Sequence, residues 1–357
     1  MSKLRGNLLP PALAIVFSAL LCGLALVLSG ANPLKAFGAM VNQVGEGTTA
    51  VDIINSTGIY YIAALAVAIG FQMNLFNIGV EGQYRVAAVV AAIFGGSFAL
   101  PTGLHALAII IVAAIAGAAW AAIPAILKVT RGVNEVISTI MMNGIALGVA
   151  AYLIRRDVFG ELRGNNIRTP EIAESGWVPG IKLGSSGTVF GLVFLAAALG
   201  IAYWVMMNRT RFGFELRASG ESATAAAAGG VNAKKMVLVS MLLSGAIAGL
   251  VSMPEILGRD HTYNLNFPGG IGFSGIAIAL LGRNHPGGIA FGALLWAFLD
   301  KSGLALDNVG VPREIVTIMQ GTIVLSVVVA YEVVRRFELA SEQRRVGREL
   351  AAAGGAA

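Results

Sequence analysis

The sequence predicts an all-α polytopic membrane protein with about ten transmembrane helices, some of them short or broken. Of the 357 residues, 56% are hydrophobic and only 12% are charged, whereas a soluble domain is about a quarter charged. Several stretches exceed the roughly 18 uncharged residues that span a bilayer. In such a chain the net charge of +6 indicates basic cytoplasmic loops rather than a nucleic-acid partner. The single Cys22 excludes an internal disulfide framework and a cysteine-pair metal site.

The first apolar run extends from about residue 9 to residue 30 and follows Lys3 and Arg5. Ser29-Gly30-Ala31 has the small residues of a signal-peptidase site, but the run is longer than the roughly 7 to 15 residues of a signal peptide. We therefore predict a first membrane helix. Residues 31–56 are more polar, and we expect an external loop with one interfacial helix there.

The stretch between Arg85 and Lys128 has 42 residues with no charge except on His105, which is too long for one crossing at 1.5 Å per residue. Pro101-Thr102-Gly103 supplies a turn, so we predict a hairpin of two crossings. Further on, Tyr203-Trp204 is typical of an aromatic pair at headgroup level. The predicted crossings are about 9–30, 58–73, 86–100, 105–127, 136–154, 187–207, 236–254, 271–282, 286–299 and 314–334.

These crossings define a membrane domain over residues 1–334 and a basic cytoplasmic tail, a surface helix, over residues 335–357. Residues 155–186 form an external loop and residues 208–235 a cytoplasmic loop. With the N-terminus inside, 16 of the 25 Lys and Arg fall on the cytoplasmic side. The positive-inside rule therefore predicts that both termini are cytoplasmic.

Two polar interruptions occur at corresponding positions of a five-plus-five division of the crossings. The first is the stretch FQMNLFNIGVEGQY, residues 71–84, and the second contains Asn264, Asn266, Pro268 and two glycines. An odd number of crossings per half gives the halves opposite orientations, as in the inverted repeats of many transporters. We therefore predict paired broken helices that meet near the bilayer midplane.

The first interruption combines amide side chains with Gly79 and Gly82, which we expect to break the helix. Asn and Gln offer both donors and acceptors, which suits an uncharged ligand such as a nucleobase or a sugar. The alternative is that these amides only satisfy backbone groups at the break. The predicted substrate-pathway residues are Phe71, Asn74, Phe76, Asn77, Glu81, Gln83, Asn143 and Asn266.

Within this set, an unpaired Glu81 carboxylate is too costly in lipid. We predict an ion pair with Arg85, one helical turn later. The orientation predicted from charge places Arg85 at the inner face, so this stretch occupies the inner part of its crossing. That position favours substrate contact at Phe71, Asn74 and Asn77, and packing or gating at residues 79–83.

The cytoplasmic loop ends in an alanine-rich segment, residues 222–228. Ser222 is a good N-cap and Gly229-Gly230 a good C-terminal stop. We predict a two-turn surface helix, which either docks into a partner's groove or merely connects two crossings.

The chain lacks the motifs of an enzyme. It contains no G-x-x-x-x-G-K-[ST] phosphate loop, no nucleophile–base arrangement and no His/Cys metal spacing. His105, His261 and His285 lie near predicted loop ends, where interfacial hydrogen bonding explains them. We expect no cofactor bound directly to the chain.

Four ordered blocks carry a resemblance. They are NLFNIGVEGQ (74–83), GVNEVISTIMMN (132–143), RFGFELRASG (211–220) and GFSGIAIALLGRNHP (272–286). Together they resemble the inner-membrane permease family of ABC importers for nucleosides and simple sugars, the branched-chain amino acid/ribose-type permeases. The similarity is greatest to the longer permease of purine nucleoside systems that work with basic-membrane-protein-type lipoproteins.

The resemblance implies a multi-pass subunit of the bacterial plasma (inner) membrane. Its implied partners are a second homologous permease, a cytoplasmic tandem ATPase that uses ATP and Mg, and an external substrate-binding lipoprotein. It also implies that residues 211–235 are the segment that couples ATPase closure to the membrane helices. Here Glu221-Ser222 replaces the family's usual asparagine–proline pair, and residues 226–228 lack its arginine. The predicted coupling residues are Phe212, Gly213, Glu215, Arg217, Gly220, Ser222, Ala223 and Ala226.

Nucleoside uptake is the leading function, and a simple-sugar importer is the alternative within the same class. From another class, an ion-driven secondary transporter shares broken helices and inverted repeats but needs buried carboxylates as ion sites. Here Glu81 is the clear intramembrane candidate. A scaffold without transport activity explains neither the paired breaks nor the alanine-rich helix.

Overall fold

The computed structural model describes residues 16–354, most of which are helical. Lys3, Arg5 and the beginning of the first predicted crossing lie outside the described residues, as does the end of the predicted tail. The chain divides into two compact units, residues 1–44 with 302–357 and residues 45–301.

The first unit contains two helices joined by a sharp turn and a long C-terminal helix. The turn between α1 and α2 bends the chain by 109°, and Asn32 caps α2 by accepting hydrogen bonds from two backbone N–H groups. The last helix runs without a break through most of the predicted basic tail. The elements are α1 (Val16–Leu28), α2 (Pro33–Gln43), a 3₁₀ segment (Gly303–Val309) and α14 (Ile315–Gly354).

The second unit holds both predicted interruptions. Its helices are α3 (Thr49–Gln72), α4 (Val80–Ser97), α5 (Leu104–Arg131), α6 (Glu135–Leu153), α7 (Val193–Arg209), α8 (Arg211–Glu221), α9 (Ala223–Ala228), α10 (Ala233–Gly249), α11 (Met253–Glu255), α12 (Ile271–Leu281) and α13 (Pro286–Ser302). A π-helical turn, Ile256–Asp260, continues α11.

Helix α3 lies at the centre of this unit because it is apolar on every face. Its residues 61–70 are all buried. Helix α10 packs against α5 through Gly245 and Gly249, which lie one turn apart. A Cβ atom on Gly117 of α5 would lie 2.2 Å from the Gly245 carbonyl oxygen. Small residues therefore bring the two backbones into direct contact, as in GxxxG helix pairs.

The predicted external loop folds into two small antiparallel hairpins. Backbone hydrogen bonds from Thr169, Ile172 and Val178 attach it to carbonyl groups of residues 257–263. This packing gives the long polar segment a fixed structure. The strands are β1 (Glu161–Arg163) with β2 (Asn166–Arg168), and β3 (Ile181–Lys182) with β4 (Thr188–Val189).

Two predicted boundaries are wrong. Residues 49–56 belong to α3 rather than to a loop, since Thr48 donates a hydrogen bond to Asp52 in the first turn and stabilises an earlier start. The crossing predicted from residue 187 begins at Val193, because the preceding residues form β4. Asn55 holds that strand by bonding to Thr188 and Phe190.

The helix lengths support a polytopic membrane protein. In the part of the chain that the structure describes, five helices are long and apolar enough to cross a bilayer, or seven if each of two bent pairs is one crossing. The predicted hairpin turn at residues 101–103 is present between α4 and α5, and the two short apolar pieces after residue 270 are the separate helices α12 and α13.

Candidate functional site

The first interruption is a real break between α3 and α4. Helix α3 ends at Gln72, and Asn74 adopts a left-handed conformation with φ of 59°. The Leu75 N–H donates to the Gly70 carbonyl oxygen at 2.9 Å, so the chain folds back along α3. Gly79 lies at the break as predicted, but Gly82 lies inside α4, so its role as a second helix breaker is wrong.

Asn77 fastens the folded-back chain to two neighbouring helices. Its Nδ2 donates to Ser244 Oγ of α10 at 2.8 Å, and Ser244 Oγ donates in turn to the Ala66 carbonyl oxygen of α3 at 2.6 Å. Asn77 Oδ1 accepts from Gly79 N–H at 3.1 Å and from Gln83 Nε2 at 3.0 Å. Asn77 is fully buried, so this amide holds the break together from inside the protein.

Asn143 of α6 supports the same break from the other side. Its Nδ2 donates to the Ile78 carbonyl oxygen at 3.0 Å, and its Oδ1 accepts from Gly82 N–H at 2.8 Å. A Cβ atom on Gly82 would lie 2.9 Å from Asn143 Oδ1. The glycine is therefore required for close approach to α6 and not for a helix break.

Glu81 joins the first interruption to the second. Its Oε1 accepts from Arg85 Nε and from Gly270 N–H, both at 2.9 Å, and its Oε2 accepts from Gly272 N–H at 3.0 Å. The Tyr84 hydroxyl also donates to Oε1 at 2.9 Å. The predicted ion pair with Arg85 is confirmed. The same carboxylate binds the N-terminal end of α12, where unpaired N–H groups favour a negative charge.

The second interruption extends from the π-helical turn to Gly270, whose φ is 84°. Asn264 Oδ1 accepts from Asn266 N–H at 2.8 Å, and the Asn266 side chain is exposed. His261, also left-handed, stacks on Trp177 with ring centroids 3.9 Å apart. Burial lowers the pKa of His261 from its usual value. The two interruptions thus meet at Glu81 and Gly270.

The predicted pathway residues divide into two groups. Phe71 and Phe76 contact each other edge to face at 5.1 Å, and Phe76 is 47% exposed. In the first group, Asn74, Phe76 and Asn266 are exposed and Phe71 is half-buried. The second group, Asn77, Glu81, Gln83 and Asn143, is buried. In this conformation a ligand reaches the buried amides only if their hydrogen bonds break.

The predicted alanine-rich helix is present as α9. Ser222 Oγ accepts from Ala225 N–H at 3.3 Å, and Gly230 follows its end with φ of 83°. Of its residues, Ala226 is buried and the others are exposed. The preceding segment, predicted as a loop, is also helical. Helix α8 presents Phe214 with 64% of its surface exposed.

Sequence reasoning missed several partners of these residues. Within the predicted aromatic pair, Tyr203 is 2% exposed and Trp204 is 38% exposed. The Tyr203 hydroxyl donates to the Asn284 carbonyl oxygen at 2.8 Å. Apart from the small size of Ser244, nothing in the sequence indicated that this residue binds Asn77. Tyr84 lies within the stretch 71–84, one helical turn after Glu81. That spacing was the sequence signal that could have predicted its hydrogen bond to Glu81.

Comparison with known proteins identifies the family. Residues 49–328 match the family described as branched-chain amino acid transport system / permease component. The chain belongs to this family. The matched residues include α3 to α13 and both interruptions, so the broken helices are part of the permease fold.

Individual permeases show the same relationship over most of their length. The guanosine ABC transporter permease protein NupP of Bacillus subtilis is 34% identical over 93% of this chain and 96% of its own. The glucose ABC transporter permease protein TsgB13 of Haloferax volcanii is 31% identical over 95% and 91%. The nucleoside ABC transporter permease protein NupB of Lactococcus lactis is 30% identical over 93% of each chain. No solved structure is significantly similar to the chain.

Proposed function

We propose that this permease is the membrane-spanning subunit of an ATP-driven importer for nucleosides. The observation that carries the proposal is the similarity to NupP over nearly the whole length of both chains, at 34% identity. A second nucleoside permease, NupB, has 30% identity over the same share of this chain.

A simple-sugar importer is the second candidate. The glucose permease TsgB13 is 31% identical to this chain, close to the value for the nucleoside permeases. The exposed surface at the break suits either substrate. Phe71 and Phe76 offer an aromatic pair against which a base or a sugar ring packs, and Asn74 and Asn266 offer uncharged donors and acceptors.

The pathway residues take two roles in this proposal. Asn74, Phe76 and Asn266, with Phe71 beside them, contact the passing substrate. Asn77, Glu81, Gln83 and Asn143 keep the broken helices in the geometry that forms the pathway, since each of them is buried and hydrogen-bonded within the protein.

The partners are an ATPase, a second permease and an external binding protein. The ATPase subunit carries ATP and Mg, because this chain contains no phosphate-binding loop. Bacillus subtilis also has the guanosine permease NupQ, which is 26% identical over 71% of this chain. Two homologous permeases in one organism support a heteromeric pathway.

Helices α8 and α9 form the coupling segment that contacts the ATPase. Their exposed side chains suit docking against a protein surface, with Phe214 as an apolar anchor and the short α9 as a rigid projection. Among the predicted coupling residues, Gly213 and Ala226 are buried and position these helices instead. The predicted Glu215 pairs with Arg211 at 2.6 Å.

The complete topology in this proposal has ten crossings in a bacterial plasma membrane, with both termini in the cytoplasm. The five long spans together with α1, α4, α7, α12 and α14 supply these ten crossings, and α8 lies outside the membrane. The halves are related as inverted repeats, an idea supported by the meeting of the two interruptions at Glu81.

Uptake by cells tests the proposed substrate. Cells that lack this chain should lose uptake of radiolabelled guanosine and recover it when the chain is restored. Excess unlabelled nucleosides should compete with guanosine, and excess glucose should not. Loss of glucose uptake with unchanged guanosine uptake would instead establish the sugar importer.

A further inference from the structure

Helix α8 lies against the ends of two membrane helices through two glycines. Gly213 and Gly220 are seven residues apart and therefore share one face of the helix. A Cβ atom on Gly213 would lie 2.2 Å from the Met206 carbonyl oxygen of α7, and one on Gly220 would lie 2.6 Å from the Gln72 carbonyl oxygen of α3. Helix α8 cannot move toward either helix end without pushing its backbone.

The end of α3 is in turn connected to the end of α12. The Gln72 side chain donates from Nε2 to the Tyr203 hydroxyl at 3.3 Å, and that hydroxyl donates to the Asn284 carbonyl oxygen at 2.8 Å. Tyr203 is 2% exposed, so water does not compete freely for these bonds. The Tyr203 hydroxyl therefore links the end of α3, the helix before the first interruption, to the end of α12, the helix after the second interruption.

Both connected helix ends are followed by residues in the left-handed conformation that commonly ends a helix. Asn74, just after α3, has φ of 59°, and Arg283 and Asn284, just after α12, have φ of 53° and 56°. Left-handed residues other than glycine persist where the surroundings hold them.

We infer that Tyr203 is a positioning residue that transmits movement of α8 to both broken helices at once. The inference rests on the proposed function, in which α8 and α9 receive the movement of the ATPase. Gly220 presses on the end of α3, and the hydroxyl of Tyr203 carries the displacement to the end of α12. The Arg217 guanidinium, which donates to the Met207 carbonyl oxygen, keeps α8 and α7 together during this step.

The test uses the complete ATP-hydrolysing complex in proteoliposomes and measures nucleoside taken up per ATP hydrolysed. Tyr203→Phe keeps the ring and removes the hydroxyl with both of its hydrogen bonds. It should lower this ratio at least about fivefold, the effect of losing a single hydrogen bond, with an unchanged ATPase rate. Gly220→Ala should lower the ratio as well. The controls are Tyr152→Phe, at a tyrosine that is 55% exposed, and Gly148→Ala in α6, whose Cβ would meet no atom within 4 Å.

A normal ratio in Tyr203→Phe would overturn the inference, as would equal losses of uptake and ATPase activity. If Gly220→Ala does not assemble, Tyr203→Phe still decides, because its volume is nearly that of the native side chain. If the wild-type complex shows no ATP-dependent nucleoside uptake, the proposed function has failed instead.

A measurement without substrate then tests the link by itself. Spin labels are placed at the exposed Ile201 of α7 and Leu280 of α12 in a Cys22→Ser background. The distance between the labels should stay narrow with and without nucleotide in the otherwise native complex, and should broaden with nucleotide in Tyr203→Phe. Identical distance distributions in the two proteins would overturn the inference.

Discussion

At the scale of single residues, buried side chains replace the backbone partners that a continuous helix would have supplied. Asn77 and Asn143 each donate and accept near the break, and Glu81 receives the free N–H groups at the start of α12. A free backbone group at membrane depth costs several kcal/mol. These three side chains therefore explain how irregular backbone persists inside an apolar protein.

Glu81→Gln should destabilise the protein and reduce transport. The amide keeps the size of the side chain but removes the charge that Arg85 and the two backbone N–H groups share, and hydrogen bonds to charged groups contribute about 1.5–3 kcal/mol each. We expect a lower thermal unfolding temperature in detergent. Glu161→Gln, at an exposed residue of β1, is the matched control. Unchanged unfolding and uptake in Glu81→Gln would contradict the role assigned to this carboxylate.

Part of this site is predictable from sequence. The ion pair follows from the spacing of Glu81 and Arg85, because residues four apart in a helix are neighbours. The contacts with Gly270, Ser244 and Asn143 join residues far apart in the chain, and one sequence contains no information on which side chain meets a given helix end. Gly82 shows the same limit, since its neighbour on α6 and not its own helix explains it.

At the scale of elements, the close packing of α5 against α10 determines where Ser244 lies relative to the break between α3 and α4. Gly245 lies one residue after Ser244, which binds Asn77. A Cβ atom on Gly245 would lie 2.4 Å from the Ala121 Cβ and 2.6 Å from the Gly117 carbonyl oxygen. Close packing at this crossing therefore sets the distance between Ser244 and the first interruption.

Gly245→Ala should destabilise the protein by about 1–3 kcal/mol, the usual cost of overpacking a tight interior, and should also weaken the Ser244–Asn77 hydrogen bond. Thermal unfolding and uptake are the measurements. Gly148→Ala in α6 is the control, because nothing lies within 4 Å of its Cβ position, and there alanine should stabilise the helix by about 0.5–1 kcal/mol. Equal unfolding temperatures for the two variants would argue against tight packing at α5 and α10.

The helices themselves were largely predictable because long uncharged runs and turn residues define them. The early start of α3 was not, because a hydrogen bond between Thr48 and Asp52 stabilises it. The late start of α7 was not either, because the strand before it is held by Asn55, far away in the chain. The alternation of aromatic and polar residues at 212–217 is not typical of a helix, so α8 was not predicted. Thr210 is its N-cap and stabilises its first turn. A contact between distant elements therefore decided the start of α7, and local hydrogen bonds decided the starts of α3 and α8.

At the scale of the whole molecule, the proposed topology makes a prediction about accessibility. Single cysteines at exposed positions Glu161 of β1 and Ala225 of α9, in a Cys22→Ser background, should react with a membrane-impermeant maleimide from opposite sides. Glu161→Cys should label in intact cells, and Ala225→Cys only after permeabilisation. Labelling of both from the same side would contradict the ten-crossing arrangement.

The source of energy distinguishes an ATP-driven importer from an ion-driven carrier most directly. We propose to reconstitute this permease with its partner permease, ATPase and binding protein in proteoliposomes, and to measure guanosine uptake with either ATP or an ion gradient. We expect uptake that requires ATP and the binding protein and continues when the gradient is collapsed. Uptake that follows the ion gradient without ATP would contradict it.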